Sequence, residues 1–112
     1  MPGGRARHNV FWKALLKLPN GNTIEVMVKD ISESGVGLVV NEPVPKGALL
    51  SIILRVPNPA SPEQMLAGSG TVKVVYAAMK GDQFGLGAIW VERSEPVRLL
   101  LARWLRTLHF GV

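Results

Sequence analysis

The feature that most constrains this chain is a change of hydrophobic period near residue 94. Before it, apolar residues alternate with polar ones; after it, they recur every three or four. Ile24, Val26 and Val28 alternate with Glu25, Met27 and Lys29, and Val72, Val74 and Tyr76 share one predicted face. So do Phe84, Leu86, Ala88 and Trp90, which leaves Gly85 and Gly87 on a face where no side chain blocks close approach. Apolar runs at 11–18, 36–40 and 49–56, with one from about 67 to 78, complete about six short strands. Asn20-Gly21 and Lys80-Gly81-Asp82 supply tight-turn chemistry. The prolines at 57, 59 and 62 predict an irregular loop. From Val97 the stripe Val97, Leu100, Leu101, Trp104, Leu105, Leu108 predicts one helix over about 94–108. Ser94 is placed as its N-cap, with Glu95 and Pro96 in its first turn.

Six short strands closed by one amphipathic helix predict an all-β fold, a small six-stranded antiparallel barrel with a C-terminal α-helix. Closure removes the exposed edges an open sheet would leave. The helix stripe needs an apolar opening or wall to cover. A length of 112 residues suits one domain. Residues 1–10, with two glycines, a proline, Arg5, Arg7 and His8, are expected to form a flexible basic arm, and 11–112 the barrel and helix.

The composition narrows the chemistry. There is no cysteine, which excludes disulfides and thiolate sites, and the two histidines, His8 and His109, have no carboxylate cluster at metal-ligand spacing. No nucleophile elbow or phosphate-binding glycine-lysine loop occurs. The expectation is a binding protein: not an enzyme, with no cofactor, no metal, no membrane-inserting segment and a cytoplasmic location. The net charge of +5 favours an anionic partner. Trp90 and Trp104 lie on apolar stripes and are expected in the core, whereas Trp12, beside the basic arm, is open to either a core or a stacking role.

The segment Asp30-Ile31-Ser32-Glu33-Ser34-Gly35-Val36-Gly37 carries the most specific chemistry. Asp30 and Ser32 are expected to project to one side. Gly35 is expected to allow a positive φ and a close ligand approach. A carboxylate, a hydroxyl and bare amides suit the donor edge of a guanine, and equally an ordinary turn at a strand end.

Asp30-x-Ser32-x-x-Gly35 resembles the Asp/Asn-x-Ser-x-x-Gly motif of PilZ domains, small six-stranded barrels with a C-terminal helix. Val44–Leu50, Gly70–Tyr76 and Phe84–Trp90 are similar to later parts of that family. The resemblance implies binding of cyclic di-GMP, a bacterial second messenger, relayed to a protein partner as the arm becomes ordered over the barrel. In the family a second motif upstream, Arg-x-x-x-Arg, contributes to the ligand. Here Arg5 holds its first position, Asn9 its second, and Arg7 lies two residues before Asn9. The implied ligand residues are therefore Arg5, Arg7, Asn9, Asp30, Ser32 and Gly35. An adaptor on the same fold that binds no nucleotide is the alternative, with nucleic-acid binding through the basic ends a weaker third.

Overall fold

The computed structural model describes residues 7–110. Six strands run in chain order: β1 (His8–Lys17), β2 (Thr23–Ile31), β3 (Gly35–Val40), β4 (Leu49–Asn58), β5 (Ser61–Lys80) and β6 (Gln83–Arg93), followed by helix α1 (Glu95–Phe110). They close an antiparallel barrel in the order β1-β2-β3-β6-β5-β4. This is the expected architecture. The turns at Gly21 and Gly81 take φ of 91° and 64°, which glycine adopts without steric cost.

Alternation builds the core. In β4 every second residue, Leu50, Ile52, Leu54 and Val56, is buried, and Ala14, Leu16, Val26, Val28, Leu38, Val72, Val74 and Leu86 face them from the other strands. Full burial of each such aliphatic side chain stabilises by roughly 1.5–3 kcal/mol. Helix α1 closes one end with the expected stripe. Val97, Leu100 and Leu101 are buried, and Trp104, Leu105 and Leu108 pack against the core from partly exposed positions.

Three expectations change, and the open role of Trp12 is decided. β1 begins at His8, so the last residues of the expected arm are strand, with His8 opposite Ile31 and Asn9 opposite Asp30. The proline stretch is a hairpin in which Asn58 pairs with Ser61 and Pro57 with Met65. Proline's fixed φ fits an extended ribbon, and the Pro57 carbonyl still accepts a 2.6 Å hydrogen bond from Trp104 Nε1. Trp12 belongs to the core, 7 % exposed, its ring centroid 5.7 Å from that of Trp104 at 59°. Tyr76 leaves the face of Val72 and Val74, because an irregularity in the β5–β6 pairing between Val74 and Tyr76 turns it outward. Trp90 is half-buried, with the Arg93 guanidinium 5.8 Å from its ring centre.

Candidate functional site

The pairing registers align one row across the outside of the sheet. Asn9 of β1 lies opposite Asp30 of β2, Asp30 opposite Gly37 of β3, Gly37 opposite Gly87 of β6, and Gly87 opposite Tyr76 of β5. Two adjacent central positions therefore carry no side chain. Their neighbours lean into the space. A Cβ on Gly37 would lie 2.5–2.6 Å from both oxygens of the Asp30 carboxylate, and one on Gly87 would collide with the Tyr76 ring. The row is a glycine-floored trough that its own neighbours cover, the Asp30 carboxylate over one glycine and the Tyr76 ring over the other.

Irregularities in both ladders of β2 set the carboxylate there. The β1–β2 register shifts between Asn9 and Trp12, and the β2–β3 register between Val28 and Asp30. Asp30 and Ile31 are consequently both buried, where strict alternation would bury only one. Arg7 Nη1 donates to Asp30 Oδ1 at 2.6 Å. The carboxylate side is 13 % exposed and the guanidinium side 52 %, so the pair is a lid of solvated charge over a mostly buried acceptor.

Ser32 and Gly35 build the adjoining turn. Gly35 N–H donates to Ser32 Oγ at 3.3 Å, Ser32 N–H donates to the Gly35 carbonyl at 3.0 Å, and Trp90 N–H donates to the Ser34 carbonyl at 2.9 Å. Ser32 is buried, and its hydroxyl also lies 3.5 Å from that of Ser34. Gly35 does not take the expected positive φ; among the described residues only Gly21, Gly47 and Gly81 do. A side chain is barred at Gly35 for another reason: its Cβ would run into the Ala88 carbonyl of β6. The glycine lets β3 and β6 close together behind the trough.

Of the six sequence-predicted residues, the fold brings Arg7, Asn9 and Asp30 together at one end of the row and Ser32 and Gly35 into the turn beside it. Arg5 lies outside the described residues. Gly37, Gly87 and Tyr76 were not among them. The bare outer face at Gly87 was visible in the alternation of β6, but its alignment with Gly37 and Tyr76 depends on registers between strands far apart in sequence. Among the described residues no group of three His, Asp or Glu side chains could hold a metal ion, and no helix is long and apolar enough to cross a membrane.

The model of the PilZ domain family matches residues 6–107. The chain belongs to the PilZ family. No curated protein sequence matches this PilZ chain. Solved structures share its fold at low identity. The PilZ domain of YcgR from Escherichia coli, solved with c-di-GMP, is 14 % identical with a TM-score of 0.73, over 97 % of this chain and 92 % of that one. The inhibitor of motility MotI of Bacillus subtilis is 16 % identical with a TM-score of 0.77, over 98 % of this chain and 53 % of that one. The K. pneumonia MrkH–c-di-GMP complex is 15 % identical with a TM-score of 0.67, over 99 % and 54 %. This PilZ chain thus spans about half the length of MotI and MrkH.

Proposed function

We propose that this PilZ domain is a receptor for cyclic di-GMP, a binder without catalysis of its own. The observation that carries the reading is the Asp30 carboxylate held over bare Gly37 in a row that ends at the Tyr76 ring. Guanine presents a ring N–H and an amino group side by side, and a carboxylate accepts from both. With Gly37 covered by that carboxylate and Gly87 by the Tyr76 ring, a planar base meets the Asp30 oxygens at its edge and can stack on the outer face of Tyr76, which is 46 % exposed. Relatives solved with c-di-GMP on the same fold support the choice of ligand.

Arg7 has two roles in turn. Without ligand it neutralises Asp30. As guanine takes over the carboxylate, the guanidinium is released to a phosphate, where its planar fork can make two charge-assisted hydrogen bonds. Because Arg7 immediately precedes β1, that exchange pulls the chain before it, Arg5 included, toward the barrel wall. Ordering this basic segment changes the surface offered to a protein partner, which is the relay.

Asn9 favours a second reading, a PilZ adaptor whose nucleotide site is degenerate, since an amide cannot supply the charge of the second arginine of the motif. Calorimetric titration with cyclic di-GMP, GTP and a single-stranded oligonucleotide at one salt concentration separates the two. The receptor reading expects saturable heat with cyclic di-GMP and far weaker binding of the others. No heat and no change in melting temperature with cyclic di-GMP would select the adaptor.

A further inference from the structure

The trough continues past Gly87. Two residues back along β6, on the same outward side, Gly85 again lacks a side chain, between Val39 of β3 and Ala78 of β5. A Cβ there would lie 3.9 Å from Lys29 Nζ and 3.9 Å from Lys80 Cε. Lys29 starts on β2 at the irregularity next to Asp30, and its half-buried side chain reaches across β3 to β6. Lys80 comes from the opposite side, as the last residue of β5. Two lysines from different strands thus converge on one bare glycine, in the row beside Gly37 and Gly87.

Neither lysine has an ion-pair or hydrogen-bond partner among the described residues. The acids nearest in sequence are Asp30 for Lys29 and Asp82 for Lys80, and neither pairs with a lysine, Asp30 being engaged by Arg7. Like charges brought together without a counter-charge repel, and a long side chain that packs across a sheet gives up rotamer freedom. An anion at Gly85 offsets both costs.

We propose that Lys29, with Lys80 beside it, is the phosphate-gripping end of the trough and supplies the cationic contact that Asn9 does not. The inference rests on the cyclic di-GMP reading and extends it. One row of the sheet is about 6.5–7 Å along the strand, the order of the separation between base and phosphate within a nucleotide. A guanine at Asp30 therefore has Arg7 on the β1 side and the lysines on the side of the β5–β6 turn. A ring with two phosphates meets a cation at each, whereas a mononucleotide meets one. Lysine suits the task because its flexible stem delivers a point charge without demanding the fixed geometry of an arginine fork.

The test is calorimetric titration of the full chain with cyclic di-GMP at low and moderate salt, comparing wild type with Lys29→Met, Lys80→Met and the double variant. Lys29→Met is expected to weaken binding by about tenfold or more, the double variant further, with the loss shrinking as salt rises. Lys29→Arg should retain binding, and Asn9→Arg should restore part of it to Lys29→Met. The unliganded variants should melt at or slightly above the wild-type temperature, since the substitution relieves repulsion. Wild type that binds while Lys29→Met and the double variant bind equally well would overturn the inference and leave the receptor reading standing. Wild type that does not bind takes both down together.

Discussion

The helix-capped end of the barrel and the glycine trough on its wall are built on opposite rules. At the capped end apolar side chains meet one another: Leu100 and Leu101 seat on the core, Trp12 packs against Trp104, and the Trp104 N–H is satisfied by the Pro57 carbonyl. Along the trough the central positions are glycines, covered by a carboxylate and a tyrosine ring from neighbouring strands, with two lysines that have no partner among the described residues beside them. One region is held by apolar side chains; the other sets charged and polar groups over bare backbone. Substitutions in the two regions should therefore separate stability from binding.

The largest expected effect is at the capped end. Leu101 is 1 % exposed, and Leu101→Ala should cost about 2–5 kcal/mol in a denaturant-unfolding experiment. The affinity of the protein that remains folded for cyclic di-GMP should be unchanged. Wild-type stability in this variant would mean that the helix does not close the barrel.

In the trough the order reverses. Gly37→Ala puts a methyl group where the Asp30 carboxylate lies, and Gly87→Ala puts one into the Tyr76 ring. Each should destabilise by about 1–3 kcal/mol, as overpacking does. Each should also weaken cyclic di-GMP binding well beyond that measured for Leu101→Ala. Equal affinity in wild type and Gly37→Ala would break the distinction between the regions.

Asp30→Ala and Arg7→Ala sharpen it further. Each removes a charge-assisted contact, so binding should fall by roughly 5- to 150-fold in calorimetry. Asp30→Ala should cost little stability, since it leaves only the half-exposed guanidinium unpaired, whereas Arg7→Ala strips the partner from a carboxylate 13 % exposed and should cost about 1–3 kcal/mol. Asp30→Ala that melts several degrees lower with unchanged affinity would make the carboxylate a structural group only.

Much of this contrast could be read from residues alone, and the parts that could not share one cause. Strand alternation, the helix stripe and the Asp30–Gly35 segment depend on neighbours in sequence, and they predicted the barrel, α1 and one wall of the site. Tyr76 was assigned to the core face because strict alternation places it with Val74; the irregularity that turns it outward belongs to the pairing of β5 with β6. Gly35 was explained by a local φ, when the constraint is the Ala88 carbonyl, more than fifty residues later in the chain. The role of Trp12 is not legible locally, because the helix it packs against lies at the far end of the sequence. The strand at His8–Val10 was missed since nothing in that polar stretch alternates; its partner, β2, supplies the order.

The smallest expected effect lies at the start of α1. Arg98 donates to Glu95 and its charge lies beside it, so the Glu95 carboxyl is held below the ordinary carboxylate range. A lowered folded-state value means that this contribution is present at neutral pH and is lost as the pH falls below about 4. Glu95→Gln should therefore flatten slightly the acid limb of the melting-temperature profile and leave neutral-pH binding untouched. A variant with an identical acid limb would show the pair to be solvated in both states.

The central claim is that cyclic di-GMP binds over the Asp30–Tyr76 row, and the most direct measurement is the melting temperature of the wild-type chain against cyclic di-GMP concentration, paired with Asp30→Ala. A ligand at 100 times its dissociation constant stabilises by about 2.7 kcal/mol. The wild type should therefore melt several degrees higher at saturation, by an increment that keeps growing with the logarithm of ligand concentration. The Asp30→Ala protein should need far more ligand for the same shift. A wild-type melting temperature that stays constant across the titration, or a shift identical in Asp30→Ala, would contradict the account.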